Sequence, residues 1–333
     1  MTVAEILDGF PRLSALVVGD ICLDRWCRYD PALSEPSRET GIPRTAVVAT
    51  EVTPGAAGTI VNNLVALGVG RVGVLGAVGD DGFGFELVRA LESRGVSTEL
   101  VVRSSAIRTF TYTKLLNAET GVEDRPRVDF INPSPIPQDL EHRLAGHLRE
   151  AAGKYDAILV SDQAETNQGG AVTARLREIL AELALEHPGK VIWVDSRVRA
   201  ELFRNVIVKP NREEAEAASL RALGRVDYAA FRRLIAARLL IVTHGPLGAL
   251  LVQEQGEEWV KTPSVENPVD ICGAGDSFSA GAACALAVSG SPPLAAQFGN
   301  LVASITIMKK GTGTASPDEV RAAYKKCTQG YIF

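Results

Sequence analysis

The strongest constraint on the fold is a regular alternation between short apolar runs and longer amphipathic stretches. Runs with the branched, apolar composition of buried strands occur at 16–18, 71–78, 157–160, 191–194, 206–208 and 239–243. Helical patterns occur at 57–67, 83–94, 171–185, 228–237, 275–288 and 294–309. Strands that are apolar on both faces and alternate with helices form a parallel sheet covered on both sides. The chain is therefore predicted to fold as a three-layer α/β/α sandwich around a mostly parallel central sheet.

Two stretches interrupt this alternation and predict a second, smaller sheet. Within 26–54 and 97–130 lie segments typical of exposed strands, such as Thr45–Thr50 and Thr109–Lys114, the second of which alternates strictly between polar and apolar residues. We interpret both stretches as strands of a small β-sheet inserted twice into the core, where it can act as a lid that shields a site from water. The α/β core would then comprise 1–25, 55–96 and 131–333. The alternative is a pair of decorated surface loops.

Charge and cysteine content argue against several classes of function. The net charge of −5 and the lack of a Lys/Arg tract give no support for a nucleic-acid surface. Five scattered cysteines and four histidines form no CxxC pair or Cys/His cluster, so no zinc site is predicted. No apolar run approaches the ~20 residues that span a bilayer, and no signal-peptide pattern is visible, so we expect a cytoplasmic protein without membrane partners. A dinucleotide oxidoreductase is excluded because no G-x-G-x-x-G follows the first strand.

A glycine-rich turn near the C-terminus carries the strongest functional signal. The run Asp270–Asp276 contains Gly273, Ala274 and Gly275 and opens a helix of small residues. Its backbone N–H groups, together with the helix dipole that adds roughly half a positive charge, can hold an anion. Asp276 places a carboxylate beside that anion, and because it would repel a phosphate in the ground state, we interpret it as a proton acceptor. The alternative is an ordinary N-cap followed by a first-turn acid.

Several segments resemble, in order and spacing, the signatures of the ribokinase-like (PfkB) sugar kinases. They are Val17–Asp20, Leu23–Trp26, Pro54–Thr59, Lys209–Glu214, Thr243–Gly248 and Asp270–Asp276. The resemblance covers nearly the whole chain and implies a ribokinase-like fold that transfers the γ-phosphoryl group of ATP to a sugar hydroxyl. Within the family, Leu23–Arg25 and Arg127–Phe130 look most similar to heptose-phosphate kinases of the ADP-heptose pathway. Ala56, Thr59 and Cys272 depart from that branch, so hexose, ketose and nucleoside acceptors stay open.

The resemblance implies roles for individual residues. Asp276 would be the base that takes the proton from the acceptor hydroxyl, and the N–H groups of 273–275 would form an anion hole for the transferring group. Asn211 and Glu214 would organise the Mg²⁺ that accompanies ATP, through water. The same pair has the form of a capping box, which is the competing interpretation. The residues expected to bind the nucleotide are Lys209, Asn211, Thr243, Gly245, Gly248 and Asn300.

The acceptor is expected near Asp24, whose carboxylate can accept hydrogen bonds from two sugar hydroxyls. Gly55 would let the backbone approach the ring, and Thr59 would offer a hydroxyl. A second phosphate, present if the acceptor is a sugar phosphate, would meet cationic side chains. The candidates are Arg108, Lys114 and Arg127. For these three the alternative is a solvated charge on a polar strand face.

The resemblance also suggests a monovalent cation, a homodimer and a rival function. Asp270 and the Ser316 hydroxyl, with carbonyls near Cys272 and Gly311, could bind K⁺. A homodimer is expected through the lid sheet. The rival is a catalytically silent sugar- or nucleotide-binding homologue with a regulatory role. The intact turn at 273–276 argues against it.

Overall fold

Two β-sheets organise the chain, of which the computed structural model describes residues 1–164 and 170–328. The strands are β1 (Ser14–Gly19), β2 (Ile21–Tyr29), β3 (Val47–Ala56), β4 (Arg71–Gly79), β5 (Ser97–Ser104), β6 (Phe110–Asn117), β7 (Val128–Phe130), β8 (Ala157–Asp162), β9 (Val191–Ser196), β10 (Ile207–Val208), β11 (Leu239–Thr243), β12 (Ala249–Gln253) and β13 (Gly256–Val260). The α-helices are α1 (Val3–Gly9), α2 (Ala57–Ala66), α3 (Gly82–Glu92), α4 (Gln138–Ala152), α5 (Ala174–Glu186), α6 (Arg212–Leu223), α7 (Tyr228–Leu234), α8 (Ala274–Ser289), α9 (Pro292–Thr306) and α10 (Pro317–Thr328). Among the described helices, none is both long and apolar enough to cross a membrane.

The large sheet has nine strands in the order β13-β12-β11-β10-β9-β8-β1-β4-β5. Strands from β11 to β5 run parallel to their neighbours, whereas β12 and β13 form an antiparallel hairpin at one edge. Helices α1–α3 and α8–α10 contribute to the apolar core on one face, and α4–α7 contribute to the core on the other. The predicted three-layer α/β/α sandwich is confirmed. Helices α1, α4, α6 and α10 and the β12–β13 hairpin were not among the predicted elements.

Helix α8 can lie deep in the fold because its residues are small. All residues of Ser277–Leu286 are buried. Where α8 crosses α9, a methyl group on Gly281 would lie only 2.9 Å from the Val302 side chain. Beneath the helix, the rings of Trp193 on β9 and Phe278 lie 6.3 Å apart. This close packing fixes the beginning of α8 beside the carboxyl ends of the central strands.

The small sheet has the strand order β3-β2-β6-β7, with β2 and β6 parallel and the outer pairs antiparallel. The predicted strands at 45–50 and 109–114 both fall in it. One part of the prediction was wrong, because Ser97–Ser104 forms the edge strand of the large sheet, parallel to β4. This strand is only partly buried, as a strand at the edge of a sheet often is, so its residues do not distinguish it from a strand of the small sheet. The first segment of the small sheet is also longer than the predicted 26–54, because β2 begins at Ile21 and β3 ends at Ala56.

Candidate active site

The predicted anion-binding turn lies where α8 begins. Gly273 adopts a left-handed conformation with φ +76, and a methyl group there would lie 3.2 Å from the methyl of Thr59. The structure therefore brings Thr59, on α2, against the turn. The N–H of Ala274 donates to the carbonyl of Ile271 at 3.2 Å. Of the three predicted anion-hole donors, Ala274 thus already has a hydrogen-bond partner.

Asp276, in the first turn of α8, has an environment suited to a base. Burial raises the pKa of its carboxyl to about 7, and the charge of Asp195 adds to the rise. Lys209 and Arg197 oppose it. A general base works best when its pKa lies close to the working pH. The site therefore holds a carboxyl that exchanges protons near neutrality.

A buried ion pair lies directly beneath the turn. Lys209 Nζ is 2.6 Å from Asp195 Oδ2, and both side chains are almost completely buried. The Ser279 hydroxyl donates to the same Asp195 oxygen at 3.2 Å. A methyl group on Gly275 would lie 3.2 Å from Lys209 Nζ, so the ammonium reaches the glycine turn. Asp195 was not among the residues predicted from the sequence, although an acid ending a buried apolar strand is a recognisable signal.

The predicted acceptor residues meet where β2 pairs with β3. A methyl group on Gly55 would lie 2.3 Å from Asp24 Oδ2, so only glycine leaves room for this carboxylate. Burial raises the pKa of Asp24, and the nearby charges of Lys114 and Arg127 oppose the rise. Both predicted cations therefore act electrostatically on Asp24. Ala56, which follows Gly55, has φ 52 and ψ −119, a conformation that L-residues with a side chain rarely adopt.

The three predicted phosphate-binding cations have different surroundings. Lys114 lies 3.8 Å from Glu123, and Arg127 lies 2.7 Å from Asp129. Arg108 instead lines a pocket of about 180 Å³ between α3 and the small sheet. The other residues lining that pocket are Asp81, Gly82, Phe83, Thr109 and Phe130. Lys114 and Arg127 act electrostatically on Asp24, whereas Arg108 is placed by this pocket.

The predicted nucleotide residues cluster around the end of β11. Thr243 forms a parallel bridge with Asn211, so two of the predicted segments are neighbours. The loop after Thr243 contains Gly245, with φ +54, and Gly248, with φ +95. A methyl group on Gly248 would lie 2.2 Å from the Val260 carbonyl oxygen, so the loop packs tightly against the end of β13.

Asn300 supports this loop from α9. It is buried, and its Nδ2 donates to the carbonyls of Val260 and Lys261 at 3.1 and 3.2 Å. Its amide donor therefore holds the strand that packs on the glycine loop. A direct contact with adenine or ribose, as predicted, would have to use the remaining oxygen.

Asn211 and Glu214 form the capping box that was the competing interpretation. The Glu214 N–H donates to Asn211 Oδ1 at 2.9 Å, and the Asn211 N–H donates to Glu214 Oε2 at 2.8 Å. Burial and the charge of Asp195 raise the pKa of Glu214, while Lys209 opposes the rise. Within residues 1–164 and 170–328, no three His, Cys, Asp or Glu side chains gather as a metal-binding group. The donors present fit contact with Mg²⁺ through water, with the phosphates of ATP as its main ligands.

The residues suggested for a monovalent cation are engaged in loop and cap hydrogen bonds. Asp270 accepts from the N–H of Cys272 at 2.9 Å and from the N–H of Gly311 at 3.1 Å, which joins two loops. The Ser316 hydroxyl accepts from the N–H of Glu319 at 3.3 Å, at the beginning of α10. Asp270 thus joins the segments of Cys272 and Gly311, and its binding of a cation stays a prediction.

Solved structures with the same fold define the class. Phosphofructokinase-2 from Escherichia coli, in complex with potassium, superposes with a TM-score of 0.71 at 22% identity, over 95% of this chain and 99% of that one. A ribokinase from Thermotoga maritima gives a TM-score of 0.66 at 20% identity, over 94% and 99%. The protein therefore has the ribokinase-like fold.

The family follows from the sequence comparisons. The family model described as "pfkB family carbohydrate kinase" matches residues 14–319. The chain is 30% identical over 329 residues to the bifunctional protein HldE of Pelobacter propionicus, covering 96% of this chain and 64% of that protein. It is 33% identical over 317 residues to HldE of Geobacter metallireducens, covering 92% and 62%. The chain belongs to the pfkB family of carbohydrate kinases, and it spans less than two thirds of the length of these two relatives.

Proposed function

We propose that this protein transfers the γ-phosphoryl group of ATP to a hydroxyl of a sugar or sugar phosphate. The observation that carries the proposal is Asp276, a partly buried carboxyl with a pKa of about 7 at the beginning of α8. It lies beside a glycine turn and above a buried lysine. A carboxyl kept partly protonated at neutrality, next to N–H groups that favour an anion, suits proton removal from an alcohol during phosphoryl transfer.

The proposed reaction divides the work among residues of the turn. Asp276 accepts the proton of the acceptor hydroxyl. The hydroxyl oxygen attacks the γ-phosphorus, and the bond from the γ-phosphorus to the oxygen of ADP breaks. The N–H groups of Gly273 and Gly275 and the dipole of α8 stabilise negative charge on the transferring group. Lys209, held by Asp195, adds a fixed positive charge beneath Gly275. Because these groups are in place before the reaction, little reorganisation is needed during it.

The nucleotide would lie against the loop Thr243–Gly248, with its phosphates directed at the turn. Mg²⁺ bound to those phosphates would supply charge neutralisation and contact Asn211 and Glu214 through water. The loop joined by Asp270 is the proposed place for K⁺, whose contribution would be to stabilise the turn that follows it. Activity with and without K⁺ at constant ionic strength tests this last point.

A sugar phosphate is the acceptor class that we favour. Asp24 would orient the sugar hydroxyls, and Lys114 and Arg127, which act electrostatically on Asp24, would meet a phosphate. The resemblance to heptose-phosphate kinases makes a seven-carbon sugar phosphate the first candidate. The small sheet is the proposed homodimer surface, because it exposes apolar side chains to solvent. They are Val47, Val48, Val128 and Phe130.

The proposal is tested by measuring ADP release from Mg-ATP across a panel of sugars and sugar phosphates. Asp276→Asn is compared with Asp318→Asn, because Asp318 is also a first-turn acid, on α10, and is almost fully exposed. We expect turnover of one acceptor class, lost in Asp276→Asn and retained in Asp318→Asn. If ATP binds but no acceptor raises ADP release, the silent homologue becomes the better interpretation. The strained Ala56, at the acceptor side, would then be the first residue to examine.

A further inference from the structure

Asp20 is a buried acid at the junction of β1 and β2 that has no part in the proposed reaction. Its Oδ2 accepts hydrogen bonds from the N–H groups of Gln163 and Ala164 at 2.9 and 2.8 Å. Its Oδ1 accepts from the N–H of Ala171 at 2.7 Å. A methyl group on Gly170 would lie 3.0 Å from Oδ1, so this segment packs directly on the carboxylate. One side chain thus ties down both described ends of the β8–α5 connection.

The backbone of Asp20 joins two more segments. Its N–H donates to the Ser161 carbonyl at the end of β8, at 3.0 Å, and its carbonyl accepts from the N–H of Ala57, the first residue of α2, at 2.9 Å. Gly19, just before it, has φ +138, and a methyl group there would lie 2.1 Å from the Ser161 carbonyl oxygen. At this point the chain leaves the large sheet and enters the small one.

The location of Asp20 connects it to both halves of the acceptor site. Downstream, β2 carries Asp24 four residues later. The Ala57 N–H that Asp20 holds follows the strained Ala56 and begins the helix that carries Thr59. Thr59 in turn contacts the glycine turn at Gly273. A shift of Asp20 would therefore move the acceptor residues relative to the transferring group.

The cost of this arrangement argues for a function beyond packing. Asp20 is only 3% exposed, and burial together with the charge of Asp162 raises the pKa of Asp20 to about 6, against three N–H groups that lower it. Asp162 itself is paired with Arg199 and accepts from Ser196 Oγ at 2.6 Å. A buried carboxylate is costly compared with an apolar residue of similar size. Its three hydrogen bonds give a fixed geometry that apolar packing would not.

We propose that Asp20 is a positioning residue of the acceptor site, holding β2 and the beginning of α2 in register with the glycine turn. This inference rests on the proposed kinase function. Misplacement of a reacting group by about 1 Å can lower the rate by up to about a hundredfold. Loss of hydrogen bonds to a charged group weakens binding at the site by about tenfold for each 1.4 kcal/mol that is lost. The effect should fall on the acceptor and leave unaffected the proposed nucleotide loop, Thr243–Gly248, which begins at the end of β11 and is separated from β1 by β10, β9 and β8.

The test compares Asp20→Asn with Asp156→Asn. Asp156 also bonds a backbone N–H, that of Ser14 at 2.8 Å, but at the opposite end of β1. We expect Asp20→Asn to raise the KM for the acceptor about tenfold or more, with the KM for ATP within about twofold of wild type. Asp156→Asn should change neither KM.

The experiment distinguishes a failure of the proposed function from a failure of the inference about Asp20. If the wild type turns over no acceptor, the proposed function itself is wrong. If it does, and Asp20→Asn lowers only the amount of active enzyme or changes both KM values equally, Asp20 is merely structural and this inference is overturned. Should Asp20→Asn not fold, Gly170→Ala is the second variant, because its methyl group would lie 3.0 Å from Asp20 Oδ1 and 2.7 Å from the Ala164 side chain. The same selective rise in acceptor KM is required of that variant.

Discussion

Replacing Asp276 by asparagine should inactivate the enzyme and stabilise the fold at the same time. Loss of a general base costs about 10²–10⁴-fold in rate. The stability gain follows from the pKa of Asp276, which rises from the ordinary value of 3.8 to about 7 in the folded protein. A tenfold change in a proton-binding constant between the unfolded and folded states corresponds to about 1.4 kcal/mol. The ionised wild-type carboxylate therefore lowers the free energy of unfolding by at most about 4 kcal/mol, because partial solvent access reduces the penalty.

The pH dependence of this gain has a definite sign. A folded-state pKa above the unfolded value means that the folded protein binds more protons between these two values, so wild-type stability falls as pH rises from about 4 to 7. Asparagine does not titrate, so the variant escapes this loss. The difference in the free energy of unfolding should be at most about 4 kcal/mol at pH 8 and less than about half of that at pH 5.

Urea denaturation of both proteins at pH 5, 6, 7 and 8 measures this difference directly. Asp318→Asn is the control, because its side chain is almost fully exposed and no stabilisation is expected from it. A variant that is inactive but no more stable than wild type at pH 8 would refute the desolvated, charged state of Asp276. A gain that does not grow with pH would refute the titration argument while leaving the catalytic role intact.

Three more predictions concern the same site. The acidic limb of the wild-type kcat/KM profile should rise about tenfold per pH unit below a pKa near 7. Lys209→Met should move this limb to higher pH, because Lys209 lowers the pKa of Asp276. An unmoved limb would contradict the assignment of Asp276 as the base. Ala56→Gly should raise the free energy of unfolding by about 1 kcal/mol in urea titrations, since glycine adopts the φ of 52 without strain. A lower free energy of unfolding would show that Ala56 is not strained. Gly55→Ala should raise the acceptor KM, because the added methyl would lie 2.3 Å from Asp24 Oδ2, and an unchanged acceptor KM would remove Asp24 from the acceptor site.

Local patterns were enough to predict much of this protein. The alternation of apolar runs and helices led to the three-layer sandwich, because strand and helix periodicities depend on neighbouring residues. The glycine turn before Asp276 was recognisable because left-handed backbone and exposed N–H groups require small residues in consecutive positions. Asn211-x-x-Glu214 was correctly recognised as having the form of a capping box, since a cap is made within one helical turn.

Sheet membership, buried ion pairs and pKa shifts depend on residues that are distant in the chain, so only the tertiary structure determines them. Ser97–Ser104 joined the large sheet because its partner β4 lies there, which its own residues do not specify. Lys209 meets Asp195 because β10 pairs with β9, and Asp20 meets Ala171 because β1 pairs with β8. The pKa of Asp276 depends first on burial and then on the charges of Asp195 and Lys209. Sequence determines which groups are available, whereas strand order and burial determine which of them meet and how strongly their charges interact.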